Sequence, residues 1–73
     1  MPEMVQVVST SIDAVGFDPV SAELWVRFVT GTTYVYSGVP EPVFDEFLLA
    51  ESKGRYFNGE IRDTYPFRQA EVT

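Results

Sequence analysis

Lys53, Arg55, Arg62 and Arg68 are spaced through a stretch that also holds Tyr56, Phe57, Tyr65 and Phe67. Cations interleaved with flat rings suit a nucleic-acid strand, the cations meeting phosphates and the rings stacking on bases. The candidate ligand-binding residues are therefore Lys53, Arg55, Tyr56, Arg62, Tyr65 and Arg68, with RNA or a nucleotide as the ligand, weakly held. Ser52-Lys53-Gly54, read as a helix start, adds backbone N–H groups that could face an anion. The same cations can instead answer the acids of residues 41–51, as Glu51 with Arg55 one helical turn on, in surface pairs that carry little function. A second candidate is Tyr34 with Tyr36, whose alternate spacing puts both rings on one side of a strand. They either stack bases or form a core aromatic pair with hydroxyls at the rim.

Other chemistries have no residues to work with. The chain has no cysteine and no histidine, which removes disulfides, thiolate metal sites, cysteine nucleophiles and histidine acid–base catalysis. Asp45-Glu46, or Glu41 with Asp45, fall on the polar face of a helix with nothing adjacent to perturb them. Neither a catalytic residue, a metal site nor a cofactor is expected, and the reading is a non-catalytic binding module. The formal net charge is −6, unevenly spread. Residues 1–52 carry Arg27 against eight acids, whereas residues 53–73 carry four cations against three acids, so only the C-terminal third attracts phosphate. No apolar run has the length of a membrane span and no early Lys or Arg marks a secretory leader, so a cytoplasmic protein is expected.

The elements that position these residues start from the run Leu24 to Tyr36, where two β-prone segments flank Gly31. A two-residue turn at Thr30-Gly31 would demand φ > 0 of a β-branched threonine. A three-residue loop, Val29-Thr30-Gly31, asks it of the glycine alone. The longer loop is preferred, and it puts Tyr34 and Tyr36 on the face of Leu24, Val26 and Phe28, with Trp25, Arg27 and Val35 on the other. Residues 11–17 read as a preceding strand, ended by Asp18-Pro19, and Met4 to Val8 as a short edge strand or an arm. Pro40 and Pro42 end the sheet and open a helix over about residues 42–51, with Val43, Phe44, Phe47, Leu48 and Ala50 on its apolar side and Leu49 off it. Ser52 caps a second short helix carrying Arg55, Tyr56, Phe57 and Ile61, which Asn58-Gly59 would shorten.

The expected fold is α+β: a three-stranded antiparallel meander covered by an α-helix, with a second short helix. Residues 1–73 form one domain, its core at about 8–67, with 69–73 a polar tail. The sheet face away from the helix offers an alternative function, a protein-interaction patch or homodimer contact through Trp25, Val29 and Val35.

Tyr34-Val35-Tyr36, Val39-Pro40, Ser52-Lys53-Gly54-x-Tyr56-Phe57-Asn58 and Ile61-Arg62-x-x-Tyr65-Pro66 occur in an order that resembles the KTSC domain. The likeness extends upstream through Ser9 to Pro19 and Leu24-x-Val26-x-Phe28, with Phe17 where the family usually has tyrosine. It implies a small α+β module of bacterial or phage origin, centred on the motif Tyr34-x-Tyr36. It also implies the C-terminal domain type of certain lysyl-tRNA synthetases, and RNA binding by that association.

Overall fold

The computed structural model describes residues 2–70. Its centre is a five-stranded antiparallel sheet in the order β1-β2-β3-β4-β5: β1 Val5–Gln6, β2 Ile12–Asp18, β3 Glu23–Phe28, β4 Thr33–Ser37 and β5 Phe67–Gln69. Between β4 and β5 lie helix α1 (Glu41–Leu49), helix α2 (Lys53–Tyr56) and a π-helical segment, Phe57–Ile61, continuous with α2. The small α+β architecture, with an antiparallel sheet and two helices, is as expected. The expectation of three strands is corrected to five.

The two additional strands are the sheet edges, two and three residues long, too short for alternation to register in a sequence. The expectation that the fold ends at Phe67 and that 69–73 is a tail is corrected in part. Pro66 has no N–H, but its carbonyl accepts from Ser37 N at 2.9 Å, and Ala70 N donates to Thr33 O at 2.9 Å, so β5 is held at both ends. Gln69 is a strand residue opposite Tyr34. Residues 71–73 lie outside the described residues.

The β3–β4 hairpin closes through the three-residue loop. Gly31 N donates to Phe28 O, Phe28 N donates to Thr32 O, and Gly31 has φ +97°. Leu24 therefore pairs with Tyr36, Val26 with Tyr34 and Trp25 with Val35, so both tyrosines lie on the face of Leu24, Val26 and Phe28. Under the helices, Ile12, Val15, Leu24, Val26, Tyr36, Val39, Phe47, Phe57 and Ile61 form one apolar core. Phe47 is the buried anchor of α1; Val43, Phe44 and Leu48 flank it partly buried, and Leu49 is 84% exposed. Phe44 stacks on Phe17 with centroids 5.4 Å apart.

The opposite face of the sheet is covered without a helix. Gly16 lies there, across from Trp25, and a Cβ at that position would come within 2.8 Å of Glu3 O and Met4 Sδ. Residues 2–4 thus lie directly over the strand, at a distance only glycine permits. Arg27 pairs with Asp13 and Arg68 with Glu23, each at 2.8 Å, on the same face. The Arg68 guanidinium, through its hydrogen bond, holds the Glu23 carboxyl below the usual carboxylate range.

Helix α1 starts at Glu41, one residue before the expected Pro42, and stops at Leu49, where Ala50 turns to extended backbone. Ser52 caps α2 as expected, its hydroxyl accepting from Arg55 N at 3.2 Å. Asn58-Gly59 does not end the helical path. The chain instead widens into the π segment, closed by Arg62 N to Phe57 O at 2.9 Å, an i→i+5 bond that fits one more residue into the turn. Burial explains the difference: Phe57 and Ile61 are both in the core, which outweighs the local preference of Asn-Gly for a cap.

The loop supplies the first test. No atom lies within 4 Å of a Cβ placed on Gly31, so Gly31→Ala costs backbone strain alone, about 1–2 kcal/mol. Urea denaturation should show that loss with an unchanged m value; an unchanged midpoint would contradict the turn geometry.

Candidate functional site

Strand alternation delivers Phe28, Tyr34, Tyr36 and, from β5, Phe67 to the helix side of the sheet, and the π segment brings Phe57 over them. The five rings form a closed circuit. Phe28 meets Tyr34 at a centroid distance of 5.9 Å, Tyr34 meets Phe67 at 5.5 Å, and Phe67 meets Tyr36 at 5.5 Å. Tyr36 then meets Phe57 at 5.4 Å and Phe57 returns to Phe28 at 5.3 Å. Four of the five contacts are edge-to-face, the arrangement the ring quadrupole favours.

These rings line an open cleft of about 490 Å³ together with Asn58, Arg62 and Asp63, within the range of small-molecule sites. Tyr36 and Phe57 are buried and form its floor, whereas Phe28 and Tyr34 are half-buried and Phe67 is 59% exposed. Burial pushes the Tyr36 phenol up, the neighbouring Tyr34 adds to this, and Arg62 and Asp63 act on it in opposite directions. Both rim charges therefore reach the cleft floor. Among the described residues neither Arg62 nor Asp63 is in an ion pair.

The six candidate ligand residues do not gather at one place. Arg62 alone lines the aromatic cleft. Arg55 and Tyr56 line a second hollow of about 430 Å³ with Glu51 and Glu60, and Lys53 lines a third with Ser9, Ser11 and Ser52. Lys53 donates to Ala50 O beyond the end of α1. Arg68 is on the other face of the sheet, bound to Glu23. Tyr65 packs half-buried against the core. The Glu51–Arg55 pair is absent among the described residues.

Tyr34 and Tyr36 are core rings that also face the cleft, so the two readings of the pair combine. Of Trp25, Val29 and Val35, Val35 is fully buried, Trp25 is partly covered and Val29 is 56% exposed in the hairpin loop. Phe28, Asn58 and Asp63 were not among the expected site residues, whereas Phe57 and Phe67 were named as rings interleaved with the cations but not among the six candidate ligand residues. Alternation from Tyr34 and Tyr36 pointed to Phe28, but the place of Phe67 beside the two tyrosines depends on the unrecognised β5. No three acids converge as a metal site among the described residues, and no helix is long and apolar enough to cross a membrane.

Tyr56 has a structural task. Its ring stacks on Phe47 at 5.5 Å, and its hydroxyl donates to Glu46 Oε2 at 3.0 Å, tying α2 to α1. Desolvation, then the Glu46 hydrogen bond, pushes the phenol up to about 12 from an ordinary value of 10.0. A raised folded value means that the protonated phenol stabilises the fold. The contribution is complete below pH 10 and is lost as pH rises toward about 12. In denaturation series across that window, stability should fall with pH, and Tyr56→Phe should make the fall shallower. An equal slope in the two proteins would show that the tie is not formed.

Comparison with known proteins agrees with this architecture. The KTSC domain family matches residues 8–65. A protein of Tsukamurella paurometabola is 45% identical over 62 residues, which cover 85% of this chain and 92% of that protein. A Stutzerimonas stutzeri protein is 42% identical over 50 residues, covering 68% of this chain and 70% of that one. The crystal structure of a KTSC domain protein from Yersinia pestis superimposes with a TM-score of 0.91 at 36% identity, covering 97% of this chain and all of that one. The synthetase association implied by the resemblance has no counterpart in these matches. On sequence and fold together, the chain belongs to the KTSC domain family.

Proposed function

We propose that this KTSC domain is a non-catalytic binding module that takes a nucleotide, free or in a single strand of RNA, base-first into the aromatic cleft. The observation that carries this reading is the circuit of five rings with Arg62 at its rim. Unpaired bases stack on exposed aromatic rings, and a guanidinium beside the stack suits the phosphate. Phe67 and Tyr34 are the accessible stacking rings, and Arg62 the single phosphate contact.

One phosphate contact agrees with the charge distribution. A net charge of −6 opposes a polyanion lying along the surface, but it has less effect on a base inserted into an apolar cleft. Lys53 and Arg55, which line other hollows, are assigned no part in binding, and neither is Arg68, which is neutralised by Glu23. A protein partner or homodimer contact through Trp25, Val29 and Val35 has less support, since Val35 is buried.

Anisotropy of short labelled single-stranded RNAs tests the reading. Binding should weaken with salt at a log–log slope of about −0.7, the value for one phosphate contact on a single strand. Phe67→Leu should cost on the order of 1–3 kcal/mol, a lost stacking partner. Arg62→Glu should weaken binding, and reversing Lys53 and Arg55 together should leave it unchanged. Loss of binding on that double reversal, or binding indifferent to Phe67→Leu, would place the ligand elsewhere.

A further inference from the structure

The cleft carries two opposite charges whose partners are not each other. Arg62 and Asp63 are consecutive, both line the cleft, and among the described residues neither is in an ion pair. Asn58 lines the cleft beside them. A ligand that satisfies this rim must offer an anion to Arg62 and hydrogen-bond donors to Asp63, because a carboxylate accepts and does not donate.

We infer that the cleft selects guanine: the ring stacks on the exposed Phe67, with its edge toward Tyr34, while Asp63 accepts from two adjacent donors on the base edge. This rests on the reading of the cleft as a nucleotide site. The four common bases differ in what they present to a carboxylate. Guanine places its N1–H next to its N2 amino group, so both carboxylate oxygens accept in parallel, the two-point geometry that gives carboxylates their strongest partners. Adenine and cytosine each present one amino donor next to an unprotonated ring nitrogen, which repels the second oxygen. Uracil presents one ring N–H between two carbonyls, which repels it as well. Asn58 has an amide N–H₂ that can donate to guanine O6, next to N1–H on the same edge. Arg62 then takes the phosphate, so base and phosphate engage the two rim charges with the signs each requires. A two-point hydrogen bond of this kind is worth roughly tenfold or more in base discrimination.

Calorimetric titration of the full chain with GMP, AMP, CMP and UMP tests the inference, with ¹⁵N-detected shifts at Asn58, Arg62 and Asp63 as the site readout. GMP should bind roughly tenfold more tightly than the other three. Asp63→Asn exchanges one acceptor for a donor at an exposed position and should remove that preference, with AMP bound at least as tightly as before, because a charge that repels phosphate is gone and an amide matches the adenine edge. The same comparison between short RNAs that differ by one G or A tells the source: RNA if the strand binds more tightly than GMP, free nucleotide if it does not, with guanine preferred in either. Equal affinity for all four nucleotides, or a guanine preference that survives Asp63→Asn, overturns the guanine assignment and leaves the cleft reading standing. No shift at the cleft with any nucleotide or RNA overturns both.

Discussion

Everything on the helix side of the sheet depends on the register of the β3–β4 hairpin, and that register depends on one backbone angle. Gly31 at φ +97° lets Val29-Thr30-Gly31 close as a three-residue loop. With that loop Tyr36 pairs with Leu24 and Tyr34 with Val26. A loop shorter by one residue would turn every side chain of β4 over. Val35 would then point at the helices, and both tyrosines would stand on the face that residues 2–4 cross.

The register produces a site only because two further elements meet it. β5 adds Phe67 opposite Tyr36, and the π segment presents Phe57 inward with Asn58, Arg62 and Asp63 at the rim. An α-helical path or an Asn-Gly cap would direct residues 58–63 differently, and the wider turn lets Phe57 and Ile61 both be buried while the polar residues between and after them stay at the surface. Single-turn π segments often occur at functional positions. Here the segment leads from the core to the wall of the cleft that carries Arg62 and Asp63. Three of the other cations serve structure: Lys53 binds the carbonyl of Ala50, and Arg27 and Arg68 tie strands on the far face.

The central hairpin, α1 and the Ser52 cap were legible in the sequence because each has a local cause. A glycine after a β-branched residue, a proline pair before an amphipathic run, and a serine three residues before a free N–H all act within a few positions. β1 was legible only as one of two readings of Met4 to Val8, an edge strand or an arm, and β5 was not legible at all, because two or three residues hold no period and their pairing is supplied by neighbours distant in the chain. The site was half legible. Tyr34, Tyr36 and Arg62 could be named from residue type, but the grouping of Arg62 with Lys53 and Arg55 followed closeness along the chain, whereas the fold sends these side chains into separate hollows. Asp63 carried no signal, since one acid among eleven is distinguished only by where the π segment ends.

The most direct measurement of the central claim is a set of intermolecular NOEs between the full chain and bound nucleotide. If the hairpin register builds the ligand site, base and ribose protons should give cross-peaks to the rings of Tyr34 and Phe67, and none to Trp25 or to the amides of Ser52 to Arg55. Cross-peaks to the Trp25 indole, or to the start of α2 without any to the tyrosine rings, would contradict it.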